Sequence, residues 1–112
     1  METQNQDFNL EETCFQIIAH SGEALSQMID ALKKCRENRF DEVEKLMEQA
    51  SASLNKAHNV HTQLLVKEAN GEKIGYSILL AHAQDNMMNT IIAQTFCEEM
   101  IKMYKSLKGI AE

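Results

Sequence analysis

His82 and Asp85 stand three residues apart in Ala81-His82-Ala83-Gln84-Asp85-Asn86-Met87-Met88, inside a run that otherwise reads as apolar helix. On a helix that spacing sets the two side chains about 60° apart on one flank. A neutral imidazole is a base, a metal ligand or a nucleophile toward phosphorus. A carboxylate on an apolar helix surface is costly unless it is paired, metal-bound or protonated. Asp85 shares its face with Ala81, Met88 and Ile92, so the pattern puts a carboxylate where the helix should meet a partner. Local spacing leaves His82 open to two readings: a reactive imidazole at the edge of that face, with Asn86 and Asn89 nearby, or a histidine without chemistry. For Asp85 the plainer alternative is a solvated side chain beside a loose contact.

The other candidates carry less. His58 and His61 are also three apart. Two imidazoles do not complete a zinc site, and no Glu-x-x-His accompanies them, so the di-iron bundle pattern is missing. His61 shares a stripe with Ala57, Leu64 and Leu65, which predicts packing or hydrogen bonding against another helix. His20 reads as structural or solvated. Cys14, Cys35 and Cys97 are odd in number and lack metal-type spacing, as expected of reduced, packed thiols in a cytosolic protein. There is no Gly-rich phosphate loop and no Ser-His-Asp order to pursue.

Three helices are predicted to position these groups. Helix A spans about Asn9 to Arg36, with Cys14, Ile17, Ile18, Leu25, Met28, Ile29 and Leu32 at helical spacing and the small pair Ser21-Gly22 filling a gap in the stripe. Glu11 and Glu12 in its first turn and Lys33, Lys34 and Arg36 in its last suit the macrodipole. Glu37 to Phe40 is too short to do other than return the chain antiparallel. Helix B spans about Asp41 to Ala69, with Val43, Leu46, Met47, Ala50, Leu54, Ala57, Leu64 and Leu65 inward, and stops at Asn70-Gly71. Helix C opens at Tyr76 or Ser77 and runs to about Lys108, roughly 45 Å. Its apolar residues, from Ile78 through Met88, Ile92, Phe96 and Met103 to Leu107, surround much of the helix. Two neighbours cannot cover so wide a surface, which predicts packing against copies of itself or, alternatively, against a different protein.

Composition agrees. The chain has no proline and four glycines, a balance that favours long helices, and its 112 residues fit one domain, with residues 1–8 expected to be flexible. A core this small gains from oligomerisation. The formal net charge of −6 argues against nucleic acid, which needs clustered Lys and Arg. The polar, acidic start Met1 to Asp7 is no signal peptide, and no apolar run approaches the ~20 residues of a membrane span, so direct membrane insertion is not expected and the cytoplasm is. In an oligomer with helix C at its axis, each copy brings Asp85 toward its mates. Such carboxylates must share protons or bind a cation through oxygen.

Taken together these residues resemble a known family, the lactose/cellobiose-type enzyme IIA of the bacterial phosphoenolpyruvate-dependent sugar phosphotransferase system. The likeness runs from about Phe15 to Leu107. It rests on Ile17-Ile18-Ala19-His20-Ser21-Gly22-Glu23-Ala24, the Phe40 turn, Leu54-Asn55-Lys56-Ala57-His58 with Thr62-Gln63-Leu64-Leu65, and Asn70-Gly71-Glu72 with Tyr76-Ser77. The most specific element is Leu80-Ala81-His82-Ala83-Gln84-Asp85 followed by Met87-Met88. The resemblance implies an all-α fold of three long antiparallel helices per protomer, assembled as a homotrimeric nine-helix bundle. It implies that His82 accepts a phosphoryl group from phospho-HPr on its tele nitrogen and passes it to a cysteine of enzyme IIB, and thence to a β-linked disaccharide of the lactose, cellobiose or chitobiose class entering through membrane enzyme IIC. It implies that Asp85 lies at the trimer axis, shared between subunits, where it holds one divalent cation such as Mg2+ per trimer, with no organic cofactor. This chain has Asn86 where the family often has histidine, and His61 where glutamine is common. Leu79, Met87 and Ile78 are expected to offer apolar surface around His82 to HPr and IIB. Without the resemblance, two other classes fit: a helical interaction protein in which His82 is incidental, and a metal-binding bundle using Asp85 or His58 and His61.

Overall fold

A computed structural model describes residues 8–111 as three helices joined by short turns: α1, Leu10–Arg36; α2, Phe40–Ala69; α3, Ile78–Leu107. Among the described residues there is no strand. The helices lie side by side in a rod of 63 × 21 × 18 Å. Of the segment expected to be flexible, residues 1–7 lie outside the described residues. Phe8 is half-buried, with the Lys67 ammonium 4.8 Å from its ring centre.

The sequence marks the ends. Asn9 caps α1, its Oδ1 accepting the Glu12 N–H at 3.0 Å, and Ser77 caps α3, its Oγ accepting the Leu80 N–H at 3.0 Å; each satisfies an amide that the helix leaves free. α1 and α2 stop in the same way. The Arg39 N–H reaches back to the Lys34 carbonyl and the Glu72 N–H to the Lys67 carbonyl, the six-to-one bond of a Schellman stop. That bond needs a left-handed residue just beyond the helix, supplied by Asn38 at φ 63 and Gly71 at φ 95. Both residue types tolerate this conformation. α2 begins one residue earlier than expected, at Phe40, and its Arg39 cap makes no side-chain bond.

The core repeats every seven residues. On α1 the buried positions are Cys14, Ile17, Ser21, Ala24, Met28, Ala31 and Cys35, alternating steps of three and four. On α2, Val43, Ala50, Ala57 and Leu64 recur at a step of seven, and on α3 Ala83, Met87, Thr90, Cys97 and Ile101 hold the same register. This is the seam of helices packed knobs-into-holes. Small residues dominate it, which lets α1 lie close to both neighbours. α2 and α3 meet each other far less than either meets α1, and toward the α2 start and α3 end they part into an open cleft lined by Phe40, Val43, Met47, Ile101 and Lys105.

The inner stripe expected for α1 is therefore corrected. Leu25 and Ile29 lie on the exposed side, and Ser21 with Ala24 and Ala31 takes their place in the core. Leu65 of α2 is likewise exposed. A helix carrying two apolar faces shows one broad stripe in sequence, and only the partner's position divides it. As expected, two neighbours do not cover the apolar surface of α3: Ile78, Met88, Ile92, Phe96, Met100, Met103 and Leu107 are all exposed in the single chain. All three cysteines are free and buried, and burial pushes their thiols up, so they stay protonated and unreactive. No helix of the described residues is long and apolar enough to cross a membrane.

Candidate functional site

His82 sits in the second turn of α3, exposed to solvent. Among the described residues, nothing within the chain hydrogen-bonds its ring. The helix end beside it differs from the others. α1 opens with Glu11 and Glu12 and α2 with Asp41 and Glu42, whereas the first turn of α3 carries no acidic residue. The positive end of its macrodipole is left uncompensated, an electrostatic setting that favours an arriving anion over one already present.

Asp85 is also exposed, on the face that carries Met88 at 52% and Ile92 at 51% exposure. Asn86 is half-buried, its carbonyl accepting the Thr90 hydroxyl at 2.8 Å. Among the described residues no three His, Cys, Asp or Glu side chains gather as a metal site. Asp85 thus offers a cation one carboxylate from one chain, fewer donors than the six or so oxygens that Mg2+ or Ca2+ requires. Within a protomer the residues do not fit an ion, and any fit requires copies of Asp85 from other chains.

The surface expected around His82 is corrected in part. Ile78, one turn before it, is 80% exposed, but Met87 is 2% exposed and belongs to the core, and Leu79 is half-buried. Met87 continues the seven-residue register from Ala83, which turns it toward α1. Exposed apolar side chains at this end are instead Ile78, Tyr76 in the preceding turn, and Leu65 and Val66 on α2.

His61 meets α3, as its place in the stripe predicts. Gln84 Nε2 lies 3.1 Å from His61 Nε2. With the Gln84 amide nitrogen toward the ring, the amide donates and the ring nitrogen accepts, an arrangement that requires a neutral imidazole with its proton on Nδ1. Burial first, and the nearby His58 second, hold the His61 pKa below the usual histidine value. His58 itself is exposed. The role of Gln84 was missed by sequence reasoning. The signal was available in the register Ala83-Met87-Thr90, which places position 84 at the seam toward α2.

The chain matches the family described as the PTS system, Lactose/Cellobiose specific IIA subunit, over residues 12–105. It is 38% identical to the lactose-specific EIIA component of Staphylococcus epidermidis over 91 residues, 81% of this chain and 88% of that protein. Its structure is similar to that of the cellobiose-specific enzyme IIA of Bacillus anthracis, with TM-score 0.87 and 36% identity, covering 99% of this chain and 97% of that one. It is also similar to the IIA chain in a complex of the chitobiose-specific IIA with HPr, from the diacetylchitobiose branch of the Escherichia coli phosphotransferase system, with TM-score 0.75 and 32% identity, covering 90% of this chain and 98% of that one. Three helices in this register, the His82–Asp85 segment on α3 and sequence kinship over most of its length make this chain a member of the lactose/cellobiose-specific IIA family of the sugar phosphotransferase system.

Proposed function

We propose that this protein carries a phosphoryl group on His82 between phospho-HPr and a cysteine of its enzyme IIB, at the cytoplasmic face of a membrane enzyme IIC. The observation that carries this reading is an exposed imidazole, free of any bond within the described chain, beside a helix N-terminus without acidic side chains in a protein of this family. The tele nitrogen's lone pair attacks phosphorus. The donor's P–N bond breaks, its electron pair returns to the donor imidazole, and a new P–N bond forms on His82. In the second step the IIB thiolate attacks, the P–N bond breaks and a P–S bond forms. The protein supplies position and charge rather than a covalent partner beyond the ring itself. The incoming group adds about two negative charges at the uncompensated end of α3. A similar IIA has been solved bound to HPr, which supports HPr as the donor. Relatives named for lactose, cellobiose and diacetylchitobiose support a β-linked disaccharide as the sugar.

The same reading makes the assembly a homotrimer of nine helices with α3 innermost. Its support is the exposed apolar length of α3, continued on α1 by Phe15, Leu25 and Ile29. Burying a side chain of this kind fully is worth about 1.5–3 kcal/mol relative to leaving it in water. Asp85 of each copy would then face its mates and, with them, hold a divalent cation such as Mg2+, which when bound offsets the repulsion of the carboxylates.

Phospho-HPr labelling followed by mapping of the acid-labile phosphoryl group tests the assignment. Of the four histidines, 20, 58, 61 and 82, only His82 is expected to carry label. Label on another histidine would move the site.

A further inference from the structure

We propose that His61 is a positioning residue for phosphoryl transfer at His82: by holding Gln84 across the α2–α3 seam it fixes the rotation of α3, and gaining a proton releases that hold. This rests on His82 being the phosphoacceptor. α1 packs closely on both other helices, while α2 and α3 touch little and part into an open cleft at the far end. Among the described residues, His61–Gln84 is the single side-chain hydrogen bond joining α2 to α3. Gln84 lies in the same helical turn as His82 and Asp85, so rolling α3 about its axis to break that bond also swings the His82 ring. The bond is half-buried, where an unmade polar contact is expensive.

The bond as formed requires an unprotonated Nε2. A protonated imidazole has two N–H donors and no acceptor, so it opposes the Gln84 amide donor and breaks the contact as formed. The hold is released unless the amide turns its Oε1 to the ring, in which case the wild type and His61→Gln would respond to pH alike. The groups that face His61 are few. On α2 the His58 imidazole lies one turn away and acts against a second positive charge, and Glu68 borders the shallow cleft beside Gln84. α3 presents the neutral Gln84 amide, with His82 and Asp85 on other flanks. On α1 the Ser53–Gln27 bond sets an antiparallel register that brings the half-buried His20 near the level of His61. Burial and His58 both oppose the cation, so the neutral, bonded form is the one kept near neutral pH.

The test is the rate of His82 phosphorylation by phospho-HPr, in the full chain, from pH 8 to 5.5. The wild type is compared with His61→Gln, which keeps an amide for Gln84 and cannot titrate, and with His61→Leu, which keeps neither. Each profile is normalised to its own pH 8 rate, so that pH effects arising outside position 61 are common to all. The wild type is expected to lose up to about tenfold more rate at pH 5.5 than His61→Gln, a fraction of the ~10²-fold that a 1 Å misplacement of reacting groups can cost. His61→Leu is expected to be slow at every pH while retaining its helical content, with Gln restoring what Leu loses. Parallel profiles for wild type and His61→Gln overturn the inference alone. Label that never appears on His82 overturns it together with the assignment beneath it, because nothing is then left to position.

Discussion

Adjacent residues of α3 are treated oppositely by the fold. Met87 is 2% exposed and its neighbour Met88 is 52% exposed. Gln84 is hydrogen-bonded across the seam to His61, while Asp85, the next residue, is exposed. One face of the helix is complete within a single chain: its apolar side chains are covered and its polar group is partnered. The other face is as apolar and is left open, with a carboxylate set among methionine and isoleucine and a bare imidazole at its rim. A face that a chain covers itself serves stability. A face that it builds and leaves uncovered is available to something outside the chain, which in the function proposed above is further copies and the partners of phosphoryl transfer.

Several measurements break or sharpen that contrast. The largest effect belongs to His82. His82→Ala should reduce labelling by phospho-HPr to background with an unchanged helical circular dichroism spectrum, because the exposed ring takes no part in the core; residual label on the variant would refute the rim site. Next comes the methionine pair. Met87→Ala should cost about 2–5 kcal/mol in urea unfolding, the usual range for emptying a core site. Met88→Ala should change the stability of the isolated protomer by under about 0.5 kcal/mol and show its effect as weaker self-association in sedimentation. Equal costs at the two positions would erase the difference between the faces.

Asp85→Leu tests the open face from the opposite side. If copies of Asp85 meet in the proposed assembly, exchanging them for apolar contact should stabilise it by about 1–4 kcal/mol, the range seen when buried ion pairs give way to apolar residues, and raise Tm at fixed protein concentration. A lower Tm would contradict a shared axial position. In the core stripe of α1 that packs against the covered side, Ser21 is 1% exposed and its hydroxyl has no hydrogen-bond partner among the described residues. Ser21→Ala should therefore stabilise by about 1 kcal/mol, the low end of the penalty for an unsatisfied buried group, as read by chemical denaturation.

The smallest effect is titration of His61. Its folded-state pKa lies below the ordinary histidine value of 6.5, so between the two the unfolded chain holds a proton that the folded chain lacks. Stability then rises with pH through that window and falls as pH drops below 6.5 toward the folded value. His61→Gln should remove this slope, and an unaltered slope in urea midpoints against pH would assign it to another group.

Much of this molecule is legible in its sequence. Asn9, Ser77, Gly71 and the acidic first turns of α1 and α2 mark helix ends through chemistry confined to a few neighbouring residues, so the helix bounds follow from the sequence to within a residue or so. The His82–Asp85 pair is legible because ionisable groups on an apolar surface are conspicuous, and the role proposed for it comes from the surrounding motif, which is that of the family. Leu25, Ile29, Leu65 and Met87 were sorted to the wrong side for a different reason. Apolar character records that a side chain avoids water, without recording which neighbour shields it.

By itself the sequence determined three helices, two of them with side-chain N-caps, the two connections between them, an α3 apolar around much of its girth, and an imidazole and a carboxylate on that helix. These depend on local backbone chemistry and on residue types. Only the tertiary structure decided that Met87 goes in and Met88 out, that Ser21 fills a core site, and that His61 finds Gln84 across the seam. Each depends on how three helices roll and approach one another, and that is fixed by the small residues packed between α1 and its neighbours rather than by any one stretch of chain.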